Sequence, residues 1–424
     1  MQKFRANSNI AGKSMSLSLT VAVTGQSLIH RDIRNCGDPA FLRIVDILKR
    51  ADIAFTNFEG TILGRHGGSP MKGSYFGCSD PFVLDALKQS GFNALALANN
   101  HAFDLGSPGV LSTLEEVSAR GFLHAGIGLD RDHASTPGKA IIKGRIIRLV
   151  AMDAGPGSRI MYAENAGFQR PSRPGINQLE VTRVFEADNA IFDMLETIQT
   201  TFESSKLERA NYAQPDDSPV LNEQNEIDFY GTVFRRSDTN RRKIVIGLDS
   251  ASHQLTAISK AATAGQFVIA YLHHHHWEPN WRDVPEWVVA FAHACIDAGA
   301  RIFVSHGTPV LQPIEVYKGA PIFFGLGNFL FHTEHGDTEW SSPDIWKSVV
   351  ATCHFDATGV QVDILPIVLG GEERLGRDDF HERRVPMAAS EAIGDEILDD
   401  LAKRSAAFGT VIKRDGLLGR IHVG

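Results

Sequence analysis

The sequence predicts an α/β protein whose strands deliver polar side chains to one end of a sheet. Two observations carry that prediction. Short apolar runs of strand length alternate with stretches whose apolar residues recur at helical spacing. Five of the apolar runs also stop at a polar cluster: at Gln26, at Asn57 and Glu59, at Asn100 and His101, at the histidines 273–276, and at His306. Parallel strands of one sheet would gather those ends at a single edge, where ligands bind in open α/β sheets.

Composition narrows the class. The chain of 424 residues is 43% apolar and 22% charged, ordinary for a globular protein. A net charge of −8 leaves no basic footprint and argues against a nucleic-acid partner. No apolar run approaches the length of a membrane span, so no membrane partner is expected. The run MSLSLTVAV (15–23) is too short and too alternating for a signal segment and reads as a first strand. Cys36, Cys78, Cys295 and Cys353 lie far apart with no CxxC spacing, as reduced thiols do. A cytoplasmic protein is therefore expected.

Taken in order, residues 1–14 read as a polar tail and 17–24 as a strand ending at Gly25-Gln26-Ser27. A helix over 39–50 has Phe41, Ile44, Val45 and Leu48 on one face. Residues 52–56 form a second strand, 64–79 a glycine-rich loop, and 81–89 a helix. The apolar run 94–98 stops at Asn99-Asn100-His101, followed by Asp104 and by a helix opening at Ser107-Pro108. Residues 139–153 read as a hairpin turning at Lys143-Gly144. Composition shifts at Gly155, and 155–245 reads as an insertion or lid carrying a helix over 180–207. Alternation then resumes: a helix at 251–264, a strand at 267–272 running into the four histidines, a helix at 284–298, and a strand at 301–304 before Ser305-His306-Gly307. Hairpins turn at Lys318-Gly319 and Thr358-Gly359, and a terminal helix covers 388–403. The organisation expected is a main domain over 15–385 with the insertion inside it, then a helix and tail over 386–424.

Any one of these clusters has a plain explanation. Asn and Asp in a turn commonly bond only backbone, and Asn99 is read that way. A lone histidine is more often a satisfied core residue than a ligand. Asn100, His101 and Asp104 together, delivered by a buried strand, read as a functional site.

Four stretches now suggest a family. ADIAFTNFEGTI (51–62), GFNALALANNHAFDLGSPGVLSTLEEV (91–117), the strand running into the four histidines, and DAGARIFVSHGTPVLQPIEVYKGAPIFFGLGNFLF (297–331) resemble the CapA (poly-γ-glutamate capsule synthesis) family. That family belongs to the calcineurin-like metallophosphatase fold group. The resemblance spans roughly residues 17–370 and implies a central β-sandwich flanked by helices, with the site at the strand ends. Family motifs fall on Asn57 and Glu59, on Asn99, Asn100, His101 and Asp104, on His273 and His275, and on Ser305-His306-Gly307-Thr308-Pro309. Two positions depart from the pattern. Gln26 stands where the family has an acidic ligand, and Pro309 where it has a histidine ligand. Anchored family members also carry an N-terminal membrane segment that is not read here, which points away from capsule export.

An amide oxygen is a weak, neutral ligand and proline offers none, so at most one well-bound metal is expected. Its ligands would come from Glu59, Asn100, His273, His275 and His306, a nitrogen and oxygen set suited to zinc, manganese or iron. Three function classes follow. The first is a single-metal hydrolase or transferase acting on a peptide or γ-glutamyl substrate, with His101 protonating the leaving group. The second is a metal-independent peptide Cα epimerase. It would use His101 and His275 or His306 as opposed acid and base, with Glu59 or Asp104 orienting an imidazole. The third is a non-catalytic binding protein. Gln26, Asn57, Trp277 and Arg173 are the expected substrate contacts, the arginine by bidentate bonds to carboxylates.

Overall fold

The computed structural model describes residues 18–73, 77–203, 225–229, 231–333 and 341–423. The expected tail over 1–14 lies outside them. Two sheets face each other. Among the described residues, the larger has Leu19–Thr24 at its centre, flanked by Ile53–Asn57, Ala94–Ala96 and Leu123–Ala125 on one side and by Lys347–Phe355 and Val360–Leu369 on the other. Ile53–Asn57 runs parallel to Leu19–Thr24 and to Ala94–Ala96, and the Lys347–Phe355 strand antiparallel to Leu19–Thr24. In the smaller sheet Arg145–Asp153, Phe267–His273, Ile302–His306 and Ala320–Phe323 are parallel neighbours, edged by Gly138–Ile142 and Ile314–Tyr317.

Side-chain alternation decides what each sheet covers. Ile147, Leu149, Ala151, Phe267, Ile269, Tyr271, Ile302 and Val304 point between the sheets and join the main core. Phe55 meets Tyr271 across that core at 5.7 Å between ring centroids, and Phe267 meets Phe355 at 5.0 Å. The intervening Val150, Met152, Val268, Ala270, Leu272 and Phe303 form a second core under the helices Leu248–Thr263 and Glu286–Asp297. The architecture is thus the helix-flanked β-sandwich that the resemblance implied.

Local signals hold in most places. Asp38 caps the helix Pro39–Arg50 by accepting from Ala40 N, with proline at its first position and Phe41, Ile44, Val45 and Leu48 buried. Lys143 and Gly144, both at positive φ, turn the Gly138–Ile142/Arg145–Asp153 hairpin.

The expected helix over 180–207 is a correction. Val181–Ala187 is a strand and the helix spans Asn189–Thr201, while positions 204–207 of the expectation lie outside the described residues. The run Val181, Thr182, Val184, Phe185 is β-branched and aromatic, and Asp188 stops it by accepting from Ile191 N as the helix N-cap. The strand pairs with Thr232–Arg236 and Arg241–Ile246 in a small separate sheet. After the helix Glu391–Ala406, Lys413–Asp415 and Leu418–Val423 form a hairpin that extends the larger sheet against Val360–Leu369. The sequence predicts a tail there, because so short a hairpin shows no periodicity apart from the sheet it joins. Among the described residues no helix is long and apolar enough to cross a membrane.

Candidate active site

Strand register builds the site. Asp153 pairs with His273, and His273 with His306, across three adjacent parallel strands. All three continue the inward-facing positions of their strands, so they form one row at the carboxyl edge of the smaller sheet. The larger sheet brings Asn57, Glu59 and Asn100 to the same edge. At that edge opens a cleft of about 900 Å³ whose wall includes Gln26, Glu59, Lys72, Asn100, His101, Asp104, His275 and Trp277.

Glu59, His273 and His275 each place one ligand atom within 4.8 Å of the others'. His273 Nε2 is 3.8 Å from Glu59 Oε1 and 2.9 Å from Asn100 Oδ1. Glu59 Oε2, His275 Nε2 and both ring nitrogens of His306 are buried with no protein partner. Buried polar atoms left unpaired are costly, and a divalent cation bound by Glu59, His273 and His275 would satisfy the first two of these. The donor set therefore fits one metal ion. Burial raises the Glu59 carboxyl to about 8 and lowers the His275 and His306 imidazoles to about 3. The histidines are accordingly neutral, the form that binds metal. His306 joins the row but not the three-residue group, and Asn100 reaches that group through His273.

His101 and Asp104 make a second unit on the same wall. His101 Nδ1 and Asp104 Oδ2 are 2.7 Å apart, and Asp104 Oδ2 also accepts from Gly77 N at 2.7 Å. Lys72 lies 3.1 Å from Asp104 Oδ1 and donates to the Asn100 carbonyl. Burial lowers the His101 pKa, opposed by the hydrogen bond to Asp104. With Nδ1–H held by the carboxylate, Nε2 is left for the cleft.

Other expected residues take different places. Gln26 lines the cleft, but its Nε2 donates to Asn328 Oδ1 at 3.0 Å and its Oε1 accepts from Gly307 N at 3.1 Å. Pro309 is also on the wall. Trp277 walls the cleft, with its ring centroid 4.8 Å from that of His275. Two expected substrate contacts are corrected. Asn57 is fully buried and accepts from Asn99 Nδ2 at 3.1 Å, so it braces the turn behind the site. Arg173 does not reach the wall: its guanidinium donates to the Tyr162 and Arg159 carbonyls at 3.2 and 3.1 Å and pairs with Glu164. Asn99 bonds the Phe58 carbonyl and His101 N, the backbone role read for it.

Sequence reasoning missed Asp153 and Lys72. Asp153 carried the same signal as the others, an apolar strand ending at a polar residue. Lys72 carried none, because only the path of its loop brings it to Asp104.

Comparison with known proteins then decides the family. The model of the bacterial capsule synthesis protein PGA_cap matches residues 20–333, a span that contains every residue of the metal group and of the His101 unit. The chain belongs to this capsule synthesis family. Its relatives include the uncharacterised protein y4sH of Sinorhizobium fredii, 28% identical over 95% of this chain and 93% of that protein. The capsule biosynthesis protein CapA of Bacillus anthracis is 24% identical over 82% of this chain and 67% of its own length. Among solved structures, a 5'-nucleotidase precursor from Thermus thermophilus aligns with 92% of this chain at 12% identity and a TM-score of 0.31, and the chain spans 59% of its length.

Proposed function

We propose that the cleft is the active site of a single-metal hydrolase or transferase acting on a peptide or poly-γ-glutamyl substrate. The observation that carries this reading is the convergence of Glu59, His273 and His275 within 4.8 Å beside the His101–Asp104 pair. Capsule biosynthesis relatives support the substrate class. Zinc, manganese or iron held there would supply Lewis acidity to a substrate oxygen. Asp104 fixes the His101 tautomer, and His101 Nε2 takes the proton of the attacking water or acceptor as it adds to the substrate carbonyl and gives it to the leaving amine as the C–N bond breaks. Trp277 bounds the substrate against His275. Gln26 and Pro309 support one ion in place of two, since the first is committed to Asn328 and Gly307 and the second has no donor. We place the protein in the cytoplasm on its free thiols, two of which, Cys295 and Cys353, are fully buried.

Metal analysis of protein purified without chelator tests the reading: one ion per chain is expected, lost in His275→Ala. Two ions per chain, or none, would overturn it. Hydrolysis of γ-glutamyl peptides, followed by mass spectrometry with His101→Ala as the control, tests the chemistry.

One observation favours a second reading, metal-independent Cα epimerisation of a peptide. The neutral imidazoles of His275, which feels the charge of His101, and of His306 have unpartnered buried nitrogens, as proton-moving groups would. Incubating peptides in deuterated water separates the two, because only epimerisation places deuterium at Cα.

A further inference from the structure

Asp153 belongs to the row of His273 and His306 but to neither unit described above. It is fully buried. Its Oδ2 accepts two hydrogen bonds, from Gly155 N at 3.1 Å and from the Tyr162 hydroxyl at 2.9 Å. The chain leaves the strand at Asp153 and returns at Tyr162, so one carboxylate closes both ends of the intervening loop. That loop supplies Pro156, Gly157, Ser158, Ile160 and Met161 to the cleft wall.

The same loop is stitched to the histidine run. Ala154 N donates to the His273 carbonyl at 2.8 Å, and the Gly155 carbonyl accepts from His275 N at 2.7 Å. His276 Nε2 lies 3.1 Å from the Ala154 carbonyl. Asp153 therefore holds Gly155, and Gly155 holds the backbone of His275. The junction has no slack: Gly155 sits at φ +71°, and a Cβ there would stand 2.9 Å from the Tyr162 oxygen. Arg173 closes the loop from outside through the Tyr162 and Arg159 carbonyls.

We propose that Asp153 and Tyr162 form a positioning clamp that sets His275 and the 156–161 wall relative to Glu59 and His273. The proposal rests on His275 being a site residue. Neither residue lines the cleft. The clamp acts through backbone, as outer partners of metal ligands do, and removing such partners typically lowers metal affinity about 10–100-fold.

Hydrogen exchange tests it on the full-length chain, with Tyr162→Phe removing one oxygen. Exchange in the peptide spanning 272–277 is expected to speed at least tenfold, with the helix Pro39–Arg50 unchanged. Unchanged exchange at 272–277 overturns the clamp. A general loss of protection in both regions, marking a merely destabilised fold, also overturns it. This readout needs no metal, so wild-type protein that takes up no Zn²⁺ sinks the metal reading while the exchange result still decides the clamp. Where Zn²⁺ does bind, its affinity in Tyr162→Phe is expected to fall tenfold or more by titration calorimetry, and an unchanged affinity overturns the positioning role. Gly155→Ala, which crowds the same junction, is expected to shift both readouts in the same direction.

Discussion

Gln26 donates its side-chain amide to Asn328 Oδ1 at 3.0 Å, joining two segments 302 positions apart in the chain. Its carbonyl oxygen accepts from Gly307 N, directly after His306. The amide thus works as a buried strut at the position where the family pattern has an acidic ligand. Gln26→Glu is expected to set a carboxylate oxygen against Asn328 Oδ1 and to lower stability by about 1–3 kcal/mol, the cost of an unsatisfied buried polar group. Denaturant unfolding measures it. Metal content is expected to stay at one ion, since Pro309 still offers no donor.

The His101–Asp104 pair makes a kinetic prediction. His101→Ala is expected to reduce turnover of the substrate class proposed here about 10²–10⁴-fold, the usual contribution of a positioned acid or base. Zn²⁺ affinity should change little, because His101 lies outside the group of Glu59, His273 and His275. A parallel fall in metal affinity would assign His101 to the ligand set instead.

Metal binding should be visible as stability. An ion that binds only the folded chain stabilises it by about 2.7 kcal/mol at a hundredfold excess over its dissociation constant. The melting temperature is therefore expected to rise with added Zn²⁺ and to fall with chelator. Glu59→Gln and His275→Ala should abolish that dependence.

His332 gives a pH prediction away from the metal group. Its Nδ1 accepts from His30 N and Arg31 N at 3.0 and 3.1 Å, and its Nε2 lies 2.7 Å from the Arg384 carbonyl. Burial holds its pKa down to about 4, opposed by the hydrogen bond to the Arg384 carbonyl, with the charges of His30, Arg31 and Arg384 adding to the depression. The unfolded chain, with histidine near 6.5, binds the proton first, so this contribution is present above about pH 6.5 and is lost as pH falls toward 4. Between pH 7.5 and 5 the loss amounts to about 2 kcal/mol. His332→Asn keeps a side-chain acceptor for the two amides and removes the titration. Its stability is expected to fall by about 2 kcal/mol less over that range, measured by denaturant unfolding at each pH.

Much of the site is legible because its signals are local. Asn100, His101, Asp104, His273 and His306 each stand within or just after a strand whose apolar run can be read without its partners. Asp153 follows the same rule but escapes notice, because in sequence it is one more residue of a hairpin. Lys72, and the diversion of Arg173 to the Tyr162 and Arg159 carbonyls, could not be read, because both depend on where a glycine-rich segment is carried in space. The strand Val181–Ala187 reads as helix because its apolar spacing continues into that of the helix behind it.

By itself the sequence determined most strands of the two facing sheets and most helices, the turns at Lys143-Gly144 and Lys318-Gly319, and the polar ends of five strands. Those follow from periodicity and from backbone preferences a few residues long. Tertiary structure alone decided which polar ends meet. Parallel register set Asp153, His273 and His306 in one row, and the approach of the second sheet added Glu59 and Asn100. It also decided that Gln26 and Arg173 would spend their hydrogen bonds inside the protein. Such pairings join residues far apart in the chain, and no local pattern encodes the distance between them.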